Sequence, residues 1–140
     1  MTGREAWRAS LLLGVTLLLG ACTGNNNPFA TGNGSEAELN ANPVNYKSDI
    51  LAAMHSYLND PTGIRDAAVS PPVIKQVGNE TRYVACLQFN AKKNASEYAG
   101  AKTVAAVFML GRFDRFIDTP KDLCNGVAYT PFPELQKLPP

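Results

Sequence analysis

Thr81-Arg82-Tyr83-Val84-Ala85-Cys86-Leu87-Gln88-Phe89-Asn90 is the stretch that decides how this chain folds. β-Branched and aromatic residues fit a pleated, half-buried surface. Side chains alternate along a strand, so Tyr83, Ala85, Leu87 and Phe89 share one face. Arg82, Val84, Cys86, Gln88 and Asn90 share the other. The first face needs an apolar cover, and the preceding segment supplies one. Tyr46, Ile50, Leu51, Met54, Tyr57 and Leu58 recur at helical spacing. This predicts a helix over 46–59, with Asn45 as its cap and Asn59-Asp60-Pro61-Thr62-Gly63 as its stop.

Ile64–Ser70 and Val73–Val77 read as strand on either side of Pro71-Pro72. Adjacent prolines cannot sit in a central strand, so an interrupted edge strand is expected. Gly78-Asn79 marks a turn. Ala91–Gly100 reads as a polar loop. Thr103–Leu110 is apolar on both faces, as in a central strand. An alanine-rich helix is the alternative there, but Thr103, Val104 and Val107 favour strand. Phe113–Asp118 follows as a further strand after Gly111-Arg112. Thr119-Pro120-Lys121-Asp122 opens a short helical turn carrying Cys124. Tyr129–Pro140 holds four prolines and should be mostly extended. The simplest burial of this order is an α+β domain over 44–140. One N-terminal helix would pack on a three- to four-stranded antiparallel sheet, followed by a tethered C-terminal tail.

The N-terminus carries a different pattern. Met1–Arg8 is basic, Ala9–Ala21 is uncharged, and Leu11–Leu19 is nearly all apolar. That run is shorter than the roughly 20 residues a membrane-spanning helix needs. A basic region, a short apolar region and small residues at its end describe an export signal over 1–21. Leu19-Gly20-Ala21-Cys22 resembles the lipobox of bacterial lipoproteins, and the order of elements is similar to small uncharacterised envelope lipoproteins of Gram-negative bacteria. The resemblance covers about residues 1–24. It implies cleavage before Cys22 and a diacylglycerol on its thiol, hence a membrane partner through the N-terminal lipid. Several acyl chains make a stable anchor. Thr23 in place of Asp after the cysteine leans toward the outer membrane, facing the periplasm.

Thr23–Pro43 is rich in Asn, Gly, Ser and Pro, with Phe29 and Leu39 isolated. It reads as a tether that buries too little to fold. As a flexible coil its 21 residues would span roughly 25 Å root-mean-square. Removing Arg4, Arg8 and Glu5 from 13 basic and 12 acidic residues leaves the mature chain neutral. Without a basic stripe, no nucleic-acid partner is expected.

With Cys22 given to lipid, Cys86 and Cys124 form an even pair in an oxidising compartment. A disulfide between them is expected, two buried free thiols being the alternative. The absence of Cys-x-x-Cys argues against a redox role.

Catalytic and metal signals are sparse. His55, the one histidine, lies off the apolar stripe of its helix and reads as solvated. A zinc site needs three or four ligands, and no Gly-x-Ser-x-Gly elbow occurs. Gly100-Ala101-Lys102-Thr103 departs from a phosphate-binding loop in spacing and context. Asp114, Asp118, Arg112 and Arg115 read as a charged strand edge. No cofactor, metal or enzyme activity is expected. The sequence leaves a binding or envelope-assembly module first, using a sheet edge or the aromatic tail, Tyr129, Phe132 and Leu135, to hold an envelope protein. The tail residues can instead fold back over their own sheet. An inhibitor of a periplasmic hydrolase, presenting Lys92–Glu97, and a small-molecule binder are the alternatives.

Overall fold

The structure, a computed structural model, describes residues 35–140. The export signal, Cys22 and most of the expected tether lie outside the described residues. The elements are α1 (Glu36–Leu39), α2 (Tyr46–Tyr57), β1 (Arg65–Val69), β2 (Val73–Val77), β3 (Glu80–Lys92), β4 (Tyr98–Met109), β5 (Arg112–Ile117), β6 (Thr130–Pro131) and α3 (Pro133–Gln136). The expected fold class is corrected. The chain builds a six-stranded antiparallel sheet, ordered β5-β4-β3-β1-β6, with β2 also paired to β3. Beside it the helices are small, of 4, 12 and 4 residues.

Two local features enlarge the sheet. Residues 91–92 and 98–100 are strand, not loop, so β3 and β4 pair as far as Lys92↔Tyr98. A register shift between Asn90 and Lys92 absorbs the polar residues, and the Asn90 Oδ1 accepts the Gly100 N–H at 3.0 Å. The connecting loop is only 93–97, closed by Lys93 N–H donating to the Glu97 carbonyl. Secondly, the tail adds β6 to the outer edge of β1, through Ala68↔Pro131 and Val69↔Thr130.

Strand β3 anchors everything. One edge pairs with β4 along most of its length. The other is shared by β2, opposite 80–84, and β1, opposite 87–90. Pro71-Pro72 forces the break between them. Ser70 spans it: its N–H donates to the Cys86 carbonyl, and its Oγ accepts the Cys86 N–H, both at 2.8 Å. A buried serine thus satisfies backbone groups that the prolines would orphan.

Both faces of the sheet are covered. Ile50 and Met54 of α2 pack with Ala85, Leu87, Phe89, Val104, Ala106 and Phe108. On the opposite face Val77, Val84, Cys86, Ala105 and Val107 lie beneath Leu123, Val127 and Tyr129. Burial on both sides explains the uninterrupted apolar run of β4. Arg82 on this second face is buried, its guanidinium reaching Glu80 at 3.2 Å and the Thr81 carbonyl at 2.6 Å.

Pro120 opens a single helical turn, with the Leu123 and Cys124 N–H groups donating to its carbonyl. Two smaller expectations change. Asn45 precedes α2 but makes no side-chain cap bond. Residues 35–43, expected as tether, are instead tied to the domain. Ser35 and Glu38 form a reciprocal capping box on α1, the Leu39 carbonyl accepts the Leu110 N–H at 2.9 Å, and Pro43 is fully buried. Backbone hydrogen bonds to a neighbouring hairpin supply what isolated apolar residues could not.

That hairpin joins β4 to β5 through Leu110-Gly111, at φ +55° and +73°. Successive positive φ values suit a two-residue hairpin turn whose first position favours Asn, Asp or Gly. For leucine the left-handed conformation costs about 1–2 kcal/mol.

Candidate functional site

The helical stripe Asp49, Ala52, Ala53 and Ser56 faces β5 across a cleft of about 530 Å³. Small side chains on α2 leave this space open. The far wall is aromatic. Strand β5 carries a register shift opposite Val107/Phe108. A bulge of this kind re-aims side chains, and Phe113 and Phe116, three apart, both turn toward the helix-covered core. Their rings lie 4.6 Å apart, with Phe108 beside Phe113 at 6.3 Å and Tyr57 beside Phe116 at 4.8 Å. The outer edge of β5 has no strand partner among the described residues. Its Phe113 N–H donates to Asp49 Oδ2 at 3.2 Å, and Arg112 pairs with the same carboxylate at 3.4 Å. Arg115 pairs with Asp114.

Tyr57 is also a wall of a second, smaller cleft of about 310 Å³, with Asn59, Asp60, Lys92, Lys102 and Asp118. Its hydroxyl donates to Asp118 and accepts from Lys102, and Lys102 reaches Asp118 at 2.8 Å. Burial, with the hydrogen bond to Asp118, raises the Tyr57 pKa above its ordinary value. Hydrogen bonds from Lys102 and Tyr57 hold the Asp118 carboxyl below its usual range. Partial burial works against the Lys102 ammonium, but its bonds to Asp118 and Tyr57 outweigh this and raise its pKa. At neutral pH Tyr57 and Lys102 therefore both keep their protons. The cluster donates hydrogen bonds and is poorly suited to abstract a proton.

The signs set two pH limits. Asp118, with a depressed folded pKa, stabilises the fold above its unfolded value, and this is lost as pH falls through the folded pKa. Tyr57, with a raised folded pKa, contributes fully below its unfolded value, and this is lost as pH rises through the folded one. Alkaline titration of tyrosinate absorbance should show late-ionising tyrosine, from Tyr57 and from Tyr129, which burial also raises, and the signal lost in Tyr57→Phe should be a late-ionising one. A lost signal that titrates in the ordinary tyrosine range would remove the cluster.

No protein-family model, curated protein or solved structure matches this chain. The functional reading rests on geometry and on the N-terminal motif.

Of the residues singled out by sequence, Cys86 and Cys124 are joined as a disulfide, with Cα atoms 5.7 Å apart. It clamps the C-terminal turn onto the sheet face opposite α2. Of the two readings of the aromatic tail, the described structure takes the fold-back. Phe132 and Leu135 are fully buried in the helix-side core and Tyr129 is half-buried on the other face. The Phe132 N–H donates to the Ala67 carbonyl at 2.8 Å. These residues fold back on their own sheet because β6 crosses its edge and drops alternate side chains onto opposite faces. His55 is exposed on α2 and lies outside both clefts. Among the described residues no three His, Cys, Asp or Glu side chains converge as a metal site, and no helix is long and apolar enough to cross a membrane. Sequence reasoning assigned Tyr57, Phe113 and Phe116 only to core or strand. The one signal available was the recurrence of small residues at 52, 53 and 56 on the helix.

Proposed function

We propose that this chain is a lipid-anchored envelope protein facing the periplasm. In this reading its domain holds a partner protein by an extended segment laid along β5. The observation that carries the binding role is the unpaired β5 edge beside an apolar, aromatic-walled cleft. Strand addition takes affinity from main-chain hydrogen bonds and specificity from pockets for alternate side chains, and this edge offers both. The lipobox at Leu19–Cys22 supports the anchor.

Cells given a labelled fatty acid should label the protein, and Cys22→Ala should abolish both label and membrane association. Retention of either by the variant would remove the anchor. For the cleft, the purified mature protein should select peptides with alternating apolar residues from a displayed library. Ala53→Trp, which fills the cleft from an incompletely buried helix position, should weaken a selected peptide by more than about tenfold, or 1.4 kcal/mol. A peptide whose affinity ignores Ala53→Trp binds elsewhere and defeats this reading.

The inhibitor reading keeps one observation. The 93–97 loop is wholly exposed yet pinned, with Asn94 Oδ1 accepting the Ser96 and Glu97 N–H groups. A stiff exposed loop is the form an inhibitory finger takes.

A further inference from the structure

We propose that the Leu110-Gly111 turn and Val44 form a membrane-contacting foot, on which the domain stands with its 93–97 loop pointing away from the bilayer. This rests on the lipid anchor proposed above and adds an orientation to it. The Leu39 carbonyl accepts the Leu110 N–H. A Cβ on Gly111 would lie 3.5 Å from the Asn42 carbonyl oxygen and 3.6 Å from the Ala41 Cβ. Residues 39–42 therefore run directly against the hairpin tip. Ser35 is one helical turn from Leu39, about 6 Å along α1. The chain from Cys22 thus joins the domain at this end, and its 13 preceding residues can reach at most about 45 Å. The opposite end of β4, 12 residues away, is about 37 Å off at strand rise.

The exposed apolar side chains fit this placement. Among the described residues four large hydrophobics stand exposed, and two of them, Val44 at 77% and Leu110 at 54%, flank the 39–42 segment. Leucine at Leu110 is costly, as its φ shows, where asparagine would serve the turn at no strain. An outlier that both strains the backbone and exposes an apolar side chain calls for a reason outside the fold. A lipid surface supplies one, because it removes the leucine from water. Charge does not drive the contact. Arg112 beside the turn is already paired with Asp49, and Glu36 and Glu38 on α1 add negative charge. Insertion is therefore apolar and insensitive to salt.

The single tryptophan of the sequence is Trp7, so the mature chain carries none and any added tryptophan reports alone. Leu110→Trp, Val44→Trp and Ser96→Trp would be placed in the mature lipidated protein, reconstituted in phosphatidylethanolamine–phosphatidylcholine vesicles with brominated acyl chains as quencher. Tryptophan at 110 and at 44 should emit at shorter wavelength than at 96 and be quenched by the brominated lipid, equally at low and high salt. Tryptophan at 96 should stay unquenched. Lipidated protein with all three reporters unquenched overturns the foot while leaving the anchor intact. Quenching at 96 alone reverses the orientation and also overturns it. Mass spectrometry showing an unmodified Cys22 overturns the anchor and the foot together.

Discussion

Replacing Cys86 and Cys124 together by alanine should destabilise the domain by about 4 kcal/mol, the chain-entropy value for their separation of 38 residues. For a domain of this size that lowers the melting temperature by roughly 20 °C. The effect is large because the crosslink secures a segment with few other ties. Residues 118–129 form no strand or helix, and their cover of the second face depends on Leu123, Cys124, Val127 and Tyr129 packing over Val84 and Val107. Urea unfolding with and without reductant measures it. Coincident transitions under the two conditions would mean that the crosslink carries no stability.

Phe132→Ala should cost about 3–5 kcal/mol, the usual range for a buried aromatic truncated in a core. Phe132 is fully buried among Ile50, Met54, Phe89 and Leu135 in the helix-side core, and β6 ties its backbone to β1. A tail that served a partner instead would lose binding on this substitution and keep its stability. Denaturant midpoints of wild type and variant separate the two, and a shift below about 1 kcal/mol would return the tail to the surface.

The central strand and its two faces were legible because period-two alternation over 81–90 survives intact in β3. The helix was legible for the same kind of reason: its apolar stripe packs on that face. The class of fold was not, and the failure has particular causes. Ala91–Gly100 looks like a polar loop, yet the Asn90 amide oxygen takes the Gly100 N–H and lets pairing continue through a register shift. Thr130-Pro131 is too short for any periodicity, and only its place beside β1 makes it strand. Leu39 looked isolated because its partner, Leu110, is 71 positions away and the bond is through backbone. The cleft was hidden by the β5 bulge. A regular strand would send Phe113 and Phe116 to opposite faces, and the aromatic wall exists because they share one. The disulfide, by contrast, needed only a count of cysteines and the expectation of an oxidising compartment.

The Cys86–Cys124 bond also closes a covalent ring that contains all of β4 and β5 and the exposed 93–97 loop. Peptidases cut where backbone is accessible, and this loop is such a place. A single cut there opens the ring without releasing a fragment. The piece ending near residue 94 carries Cys86 and the piece beginning after it carries Cys124, so both stay joined through sulfur while the β3–β4 ladder holds them in register. Helix α2 and the β5 edge therefore remain parts of one molecule after a nick that would divide an uncrosslinked sheet in two.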